Sequence, residues 1–360
     1  MNRNHGNGSA VTRLGLGGKR LFKLAAGITL LSLLPWVPSG GASAEKSPLH
    51  SKRFVLSAPA AEVIRDKELR NGTVMQSFAF DNVNQRIYVV QLMAGGQRLP
   101  GESAPVSGSR RDANGDLTLT QLDMEGNKLG SMFLKGLGHG VQIGVETVGG
   151  TAYLWTETDA VTEGSGGWGT QLARFAFEDG KILTPSSPEL EKYRLIEGAD
   201  RTTVNIDPAN GPLTMRYRKD GAFHFAVYDL EQVKRREFAP LADVLQPQVG
   251  TFQGFASYGG YLYLLEGNSY GSGGSTAPTG NTYITTVDLK TGNVLDKQLI
   301  SAGDDLTFRE PEGMAIRLPD AGHPQKAELC FGFASSFTPL RLANIYALDR
   351  LLPTESRPNR

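Results

Sequence analysis

One histidine in the sequence, His139, stands between two glycines, Gly138 and Gly140. Because flanking glycines remove side-chain bulk, the backbone there can approach a ligand closely or adopt unusual dihedral angles. An imidazole in such a place can act as a general base, a metal ligand or a donor to a phosphate or hydroxyl group. It can equally be a structural histidine that is hydrogen-bonded inside a strand, and the sequence leaves both interpretations open.

Two carboxylates, Glu310 and Glu312, are separated by a single proline, Pro311. Side chains two apart on a strand point the same way, as paired carboxylates for acid and base work or for a divalent cation would. The proline places the pair at a strand entry or a turn. His139, Glu310 and Glu312 are therefore the candidate catalytic residues, without an assigned role for any of them.

The sequence predicts no cofactor and no metal site, with a divalent cation at the carboxylate pair as the one alternative. The single cysteine, Cys330, lies in an apolar segment. One cysteine allows neither an intramolecular disulfide nor a zinc site built from cysteines.

A short polar, small, apolar, small pattern recurs around these residues. It is clearest at Gln76, Gln253 and Glu312 and weaker at Gln142 and Thr202, and each copy leads into an apolar strand. The copies start at residues 76, 142, 202, 253 and 312, so that the spacing varies between 51 and 66 residues. Repeats of this length indicate a solenoid or a propeller.

A partner segment follows each copy. Residues 117–129 and 283–295 alternate polar and apolar side chains and then pass through a glycine turn, which is typical of paired strands. We therefore predict an all-β fold, a five-bladed β-propeller at residues 71–352 with four-stranded antiparallel blades around a central channel. A two-sheet sandwich is the alternative, but it does not require self-similar repeats.

In a propeller the first strand of each blade lines the channel, so the residues at its entry form a ring around one mouth. Trp155 adds an aromatic face on which a sugar could stack. The predicted ligand-binding residues are Gln76, His139, Gln142, Trp155, Arg201, Gln253 and Glu312. Polar residues in such a channel can also serve only to bind water and neighbouring loops, which is the competing interpretation.

Residues 1–44 have the composition of a secretory signal peptide. They hold five basic and no acidic residues, an apolar run at residues 24–34 and the sequence Ala42-Ser43-Ala44. The run is well short of the roughly 20 residues that a membrane-spanning helix needs. We expect residues 45–70 to be a leader whose Phe54-Val55-Leu56 could supply an outer strand, and residues 353–360 to be an exposed tail.

Without residues 1–44, 32 basic and 37 acidic residues remain, a formal charge of −5. This balance argues against a binder of nucleic acid or of anionic membranes, whose affinity would come from a basic surface. Basic groups do occur locally. We expect them to be exposed turn and loop charges; they are Arg110, Arg111, Arg216, Arg218, Lys219 and Lys234 to Arg236.

Three segments together resemble a known family. They are Gln-Ser-Phe-Ala-Phe-Asp from Gln76, Gly-His-Gly-Val-Gln-Ile-Gly-Val-Glu ending at Glu146, and Arg-Glu-Pro-Glu-Gly-Met from Arg309. Over about residues 70–350 the chain resembles the propeller of phage receptor-binding proteins and of TagC-like (teichoic acid biosynthesis protein C-like) proteins. The resemblance implies five blades and, in the phage members, recognition of cell-wall teichoic acid. It marks as signature positions, without a chemical role, Gln76, His139, Gln142, Glu146, Glu310 and Glu312.

Unlike the phage proteins, the chain carries a predicted signal peptide and no stem for trimer assembly. We therefore expect a secreted, cell-wall-associated bacterial protein without a membrane span in its mature form, and we expect a monomer. The first functional hypothesis is non-catalytic binding of a teichoic-acid-like cell-wall glycopolymer, a form of carbohydrate binding, at the channel mouth. The alternative is an extracellular hydrolase or lyase of such a polymer, and a third is a protein-binding scaffold or signalling propeller. The acidic net charge counts against a ligand dense in phosphate.

Export can be tested directly. Because residues 1–44 combine a basic start, a short apolar run and a small-residue cleavage site, the mature protein should begin near Glu45 and lie outside the cytoplasm. Amino-terminal sequencing and intact mass of the protein from fractionated cells measure this. Recovery of the uncleaved chain from the soluble cytoplasm would contradict it.

Overall fold

The computed structural model describes residues 51–337 and 340–352. The predicted signal peptide and the predicted tail lie outside the described residues. Strands account for nearly half of the described chain. In chain order they are β1 (Ala61–Glu68), β2 (Met75–Asp81), β3 (Arg86–Leu92), β4 (Leu117–Leu122), β5 (Lys128–Leu134), β6 (Gly144–Val148), β7 (Thr151–Thr158), β8 (Val161–Glu163), β9 (Gly166–Trp168), β10 (Gln171–Ala176), β11 (Ile182–Leu183), β12 (Glu191–Tyr193), β13 (Asp200–Ile206), β14 (Pro212–Lys219), β15 (Ala222–Asp229), β16 (Ala242–Leu245), β17 (Phe252–Tyr258), β18 (Tyr261–Glu266), β19 (Tyr283–Asp288), β20 (Val294–Leu299), β21 (Glu310–Arg317), β22 (Glu328–Phe337) and β23 (Leu340–Leu348).

Helices are short: α1 (Gly108–Asn114), α2 (Leu230–Lys234) and a 3₁₀ turn at Pro324–Lys326. Ser107 caps α1 by accepting a hydrogen bond from the backbone N–H of Arg110. No helix within the described ranges is long and apolar enough to cross a membrane.

The strands form five blades, which confirms the predicted architecture. From the inner to the outer strand, blade 1 is β2, β3, β4 and β5, blade 2 is β6, β7, β10 and β12, blade 3 is β13 to β16, blade 4 is β17 to β20, and blade 5 is β21, β22, β23 and β1. The short strand β11 adds to blade 1 in parallel with β5, and β8 and β9 form a separate hairpin. Each inner strand contacts the inner strands of both neighbouring blades, so the ring is closed.

Local sequence explains why the inner strands turn back. Asp81 ends β2, and its carboxylate accepts hydrogen bonds from the backbone N–H groups of Val83 and Asn84. Asp207 follows β13 and makes the same turn. Aspartate favours such turns because its short side chain bonds to the backbone two or three residues on. Asp207 also accepts the N–H of Gly259 from blade 4, so the turn ties two blades together.

The first strand of the described chain, β1, closes the ring. β1 pairs antiparallel with β23 and becomes the outer strand of blade 5, although it precedes residue 71, where we expected the propeller to begin. The expectation that Phe54-Val55-Leu56 supplies an outer strand is wrong. Phe54 forms only an isolated bridge to Leu351, because its ring is buried against Tyr258 and Tyr263 rather than lying on a sheet edge.

Gln142 is completely buried in the channel, where its side chain connects different blades. Its amide nitrogen donates to the carbonyl of Met314 in blade 5 at 2.6 Å, and its amide oxygen accepts from the N–H groups of Met314 and Phe255 at 3.1 and 3.3 Å. The backbone carbonyl of Gln142 accepts from the Thr203 hydroxyl of blade 3. One side chain thus links blade 2 to blades 4 and 5 with its polar atoms satisfied, which argues against its predicted role in binding a ligand.

Replacing Gln142 with leucine should lower the free energy of unfolding by about 3 kcal/mol, since each buried backbone group left unpaired costs roughly 1–3 kcal/mol. Urea unfolding followed by fluorescence measures this. The matched control is Gln76→Leu, at the same repeat position but half-buried and without a hydrogen bond to a described residue; its stability should change by less than about 0.5 kcal/mol. Equal losses in the two variants would contradict a structural role specific to Gln142.

Candidate functional site

A cavity of about 820 Å³ opens at one mouth of the channel. Five of the predicted residues line it together: Gln76, His139, Gln253, Glu310 and Glu312. They come from three inner strands and from the loop before β6. The repeated openings seen in the sequence therefore do meet in space, apart from those at Gln142 and Thr202.

β-bulges at the strand entries place these side chains. Four of the five inner strands carry one extra residue against their partner strand at the same level, which breaks the alternation of the ladder. Bulges bend the strand and redirect side chains, and they are common at the rims of closed sheets. The segments in register shift are Met75–Ser77, Asp200–Thr203, Phe252–Gly254 and Pro311–Met314. Four of the predicted ligand-binding residues fall within these segments: Gln76, Arg201, Gln253 and Glu312.

The side chain of Glu157 packs against the loop that contains His139 and its flanking glycines. This completely buried carboxylate accepts the backbone N–H groups of His139, Gly140 and Gly169 at 2.8, 2.6 and 2.6 Å. A Cβ atom at Gly138, whose φ is +157°, would lie 2.1 Å from the Glu157 carboxyl carbon. Burial raises the pKa of Glu157 to about 7, although the three N–H donors oppose this. No local sequence pattern predicts that a carboxylate 18 residues away fixes this loop.

The His139 ring stacks on Trp168, with centroids 4.3 Å apart. Its Nδ1 lies 3.5 Å from the Asp112 Oδ1, and the side chain is 20% exposed. Burial lowers the pKa of His139 and nearby Arg201 lowers it further, whereas Asp112 opposes both, so the ring is neutral at pH 7. Within the described part of the chain, His139 Nδ1, Asp112 Oδ1 and Trp168 Nε1 are buried without a hydrogen-bond partner.

The carboxyl pair, Glu310 and Glu312, also lines the cavity. Glu312 is 6% exposed, and no described residue gives it a hydrogen bond or an ion pair. Burial raises its pKa well above the usual range, and Glu310 adds to the shift. Burial also raises the pKa of Glu310, with Arg341 opposing. This shift favours the protonated carboxyl of Glu312, the form that offers the cavity an O–H donor.

Three predicted ligand-binding residues do not line the cavity. Gln142 lies inside the channel. Trp155 is wholly buried against Tyr193 and donates its indole N–H to Glu146, so its ring cannot meet a sugar. Arg201 lies beside the cavity, where its guanidinium covers Trp168 at 4.2 Å and pairs with Glu163.

Five lining residues with polar side chains were missing from the predicted set: Thr73, Ser109, Asp112, Thr251 and Arg341. Asp112 lies on α1. No group of three or more His, Cys, Asp or Glu side chains that could hold a metal ion occurs in the described ranges. The arrangement offers hydrogen bonds and two carboxyl groups of raised pKa, which suit a polar ligand rich in hydroxyl groups.

Comparison with known proteins identifies the family. The model of the phage five-bladed beta-propeller receptor-binding platform domain matches residues 74–347. The putative major teichoic acid biosynthesis protein C of Bacillus subtilis (strain 168) is 30% identical over 287 residues, which cover 76% of this chain but only 59% of that protein.

A solved structure agrees on the fold. The tail fiber of Staphylococcus aureus phage P68 superimposes with a TM-score of 0.62 at 20% identity, over 81% of this chain and 53% of that chain. The resemblance found in the sequence is thereby confirmed over the whole propeller. The chain belongs to the family of phage five-bladed β-propeller receptor-binding platform domains.

Proposed function

We propose that this is an exported envelope protein whose propeller binds a cell-surface glycopolymer of the teichoic-acid type at the channel mouth, without cleaving it. The family description as a receptor-binding domain and the name of the Bacillus relative support the class of ligand. The observation that carries the proposal is the cavity lined by polar side chains, among them Glu312, which is buried without a hydrogen bond or ion pair from a described residue.

The chemistry of the lining suits hydroxyl groups. A hydroxyl both donates and accepts, and the cavity presents an acid donor at Glu312 together with the Gln76 amide, which does both. Stacking on tryptophan contributes little, because Trp155 is buried and Trp168 is already covered by His139 and Arg201. Recognition therefore rests on hydrogen bonds to a sugar or polyol unit.

A hydrolase or lyase acting on the same polymer is the second candidate. A general acid needs a pKa raised towards neutral pH, and burial raises the pKa of both Glu310 and Glu312 in one cavity. We favour binding because the third catalytic candidate, His139, is stacked on Trp168 beside Asp112.

His139→Ala should weaken binding of purified wall polymer by about tenfold, as expected when one hydrogen bond to a ligand is lost. The thermal midpoint should barely move, because the loop is held by bonds from Glu157 to the backbone, not to the ring. Titration calorimetry and differential scanning calorimetry measure the two effects.

His224→Ala is the matched control. His224 stacks on Tyr217 and lies 3.4 Å from Asp243, much as His139 lies against Trp168 and Asp112, but it does not line the cavity. Its loss should leave affinity unchanged. A large drop in stability for His139→Ala, with unchanged affinity per folded molecule, would instead assign His139 a structural role.

Glu312→Gln separates binding from catalysis. Glutamine keeps a donor where the protonated acid stands, so polymer affinity should stay within about threefold of the wild type, a difference below 1 kcal/mol. Chain length of the polymer, followed by gel electrophoresis, should not change with either protein. If the wild type shortens the polymer and this variant does not, the hydrolase alternative replaces the binding proposal.

The same variant reports the protonation of Glu312. Because the folded pKa is raised, the folded state keeps a proton that the unfolded state has lost, so stability falls as pH rises from about 4.5 through the folded pKa. The free energy of unfolding of Glu312→Gln should fall less over this range. Glu157 and Asp207, whose pKa values are also raised, contribute equally to both proteins and cancel in the difference.

A further inference from the structure

Arg216 differs from the other buried arginines of the described chain. Arg111 is paired with Glu102 and Asp116, and Arg174 is paired with Glu146 and Glu191. Arg309 has no carboxylate partner, but all three of its guanidinium nitrogens donate hydrogen bonds, two of them to backbone carbonyls. In each of these three the protein compensates the guanidinium, with carboxylates for Arg111 and Arg174 and with hydrogen bonds to all three nitrogens for Arg309.

Arg216 is 7% exposed and lacks such compensation. Its Nε donates to the Gln246 side-chain oxygen at 2.7 Å, while its two terminal nitrogens have no hydrogen bond or ion pair with a described residue. The expectation that Arg111 and Arg216 are exposed turn and loop charges is therefore wrong, since Arg111 is buried on α1 and Arg216 is buried on β14. Burying a charge without an opposite charge is costly, so such a group is suited to bind an anion.

Two aromatic rings hold the guanidinium in place. It lies 3.7 Å from the ring centre of Phe223 and 4.0 Å from that of Phe252. These contacts fix the plane of the group, while its two terminal nitrogens have no hydrogen bond with a described residue. A planar, fixed guanidinium is suited to binding two oxygens of a phosphate at once.

The position of Arg216 links it to the cavity. Phe252 stands between Thr251 and Gln253, and both of these line the cavity. Arg201 lies close enough to Arg216 and to His139 to lower the pKa of both. Arg216 thus lies at the boundary of blades 3 and 4, against a residue whose two neighbours in sequence line the cavity.

We propose that Arg216, with Arg201 beside it, binds a phosphate group of the ligand, while the cavity binds the adjoining sugar or polyol unit. This rests on the proposed function and adds the ligand's charge pattern, with a phosphodiester next to an uncharged hydroxyl-bearing unit. Arg201 is already paired with Glu163, so Arg216 supplies most of the uncompensated charge.

Arg216→Met tests the proposal. Methionine keeps an apolar side chain between the two rings and removes the charge. Affinity for a defined poly(glycerol phosphate) oligomer should fall by about ten- to hundredfold, the loss expected for hydrogen bonds to a charged group. The thermal midpoint without ligand should stay or rise, because an unpaired buried charge is removed. Inorganic phosphate should raise the midpoint of the wild type only.

Arg218→Met is the matched control on the same strand. Its guanidinium is already paired with Asp200 and Glu163, so affinity for the oligomer should be unchanged. Arg216→Lys, which keeps the charge but not the planar fork, should bind more weakly than the wild type and more tightly than Arg216→Met. Calorimetric titration at two salt concentrations should show a shallower salt dependence for Arg216→Met.

The outcomes separate the two proposals. If Arg216→Met binds the oligomer as the wild type does, the phosphate subsite is wrong and the binding function stands. A clear fall in the thermal midpoint of Arg216→Met with unchanged affinity would also overturn it, since Arg216 would then be structural. If the wild type binds no oligomer while phosphate still stabilises it through Arg216, the polymer function fails and the anion subsite is supported.

Discussion

The closing of the ring by β1 is the constraint on which the site depends. Blade 5 takes its outer strand from the start of the described chain and its three inner strands from the end. This pairing holds β21, which carries Glu310 and Glu312, against β2, which carries Gln76. The cavity is lined from both of these strands, although Gln76 and Glu312 are 236 positions apart in the sequence. Backbone pairing between the two ends of the chain thus places the functional side chains of its first and last blades together.

Within the closed ring, one repeat position serves two purposes. On β2, β17 and β21 the entry residue lies in a bulge and faces the cavity, where it is only partly satisfied or not at all. In blade 2 the corresponding Gln142 precedes the strand, turns into the channel and bonds to two other blades. Because the fully satisfied side chain of Gln142 links the blades, polar side chains at the mouth are not needed for this link. This agrees with the general observation that strain and unsatisfied groups collect where a ligand binds.

The sequence predicted what depends on local pattern. Repeats of alternating strands indicated five blades, and the polar openings at Gln76, Gln253 and Glu312 correctly indicated a common mouth. It did not predict what depends on packing between distant segments. Packing between neighbouring blades decides whether the side chains of Gln142 and Trp155 are exposed or buried. The hydrogen bonds that fix the His139 loop are accepted by Glu157, which lies on β7. We expected an outer strand at Phe54–Leu56, which is an apolar segment. A strand at the exposed edge of a blade instead needs a mixed pattern of polar and apolar side chains, as in Ala61–Glu68, half of which faces solvent.

The acidic net charge, which at first argues against a phosphate-rich ligand, has less weight once local environments are considered. A net charge sums groups that the fold has already paired, such as Glu102 with Arg111. Burial raises the pKa of Glu312 and so disfavours its negative charge in the cavity. Arg216 is the opposite case, a positive charge that is buried without a carboxylate partner among the described residues. Since the free energy of binding an anion depends on such uncompensated charges near the site more than on the total, an acidic protein can still hold a phosphate at the boundary of blades 3 and 4.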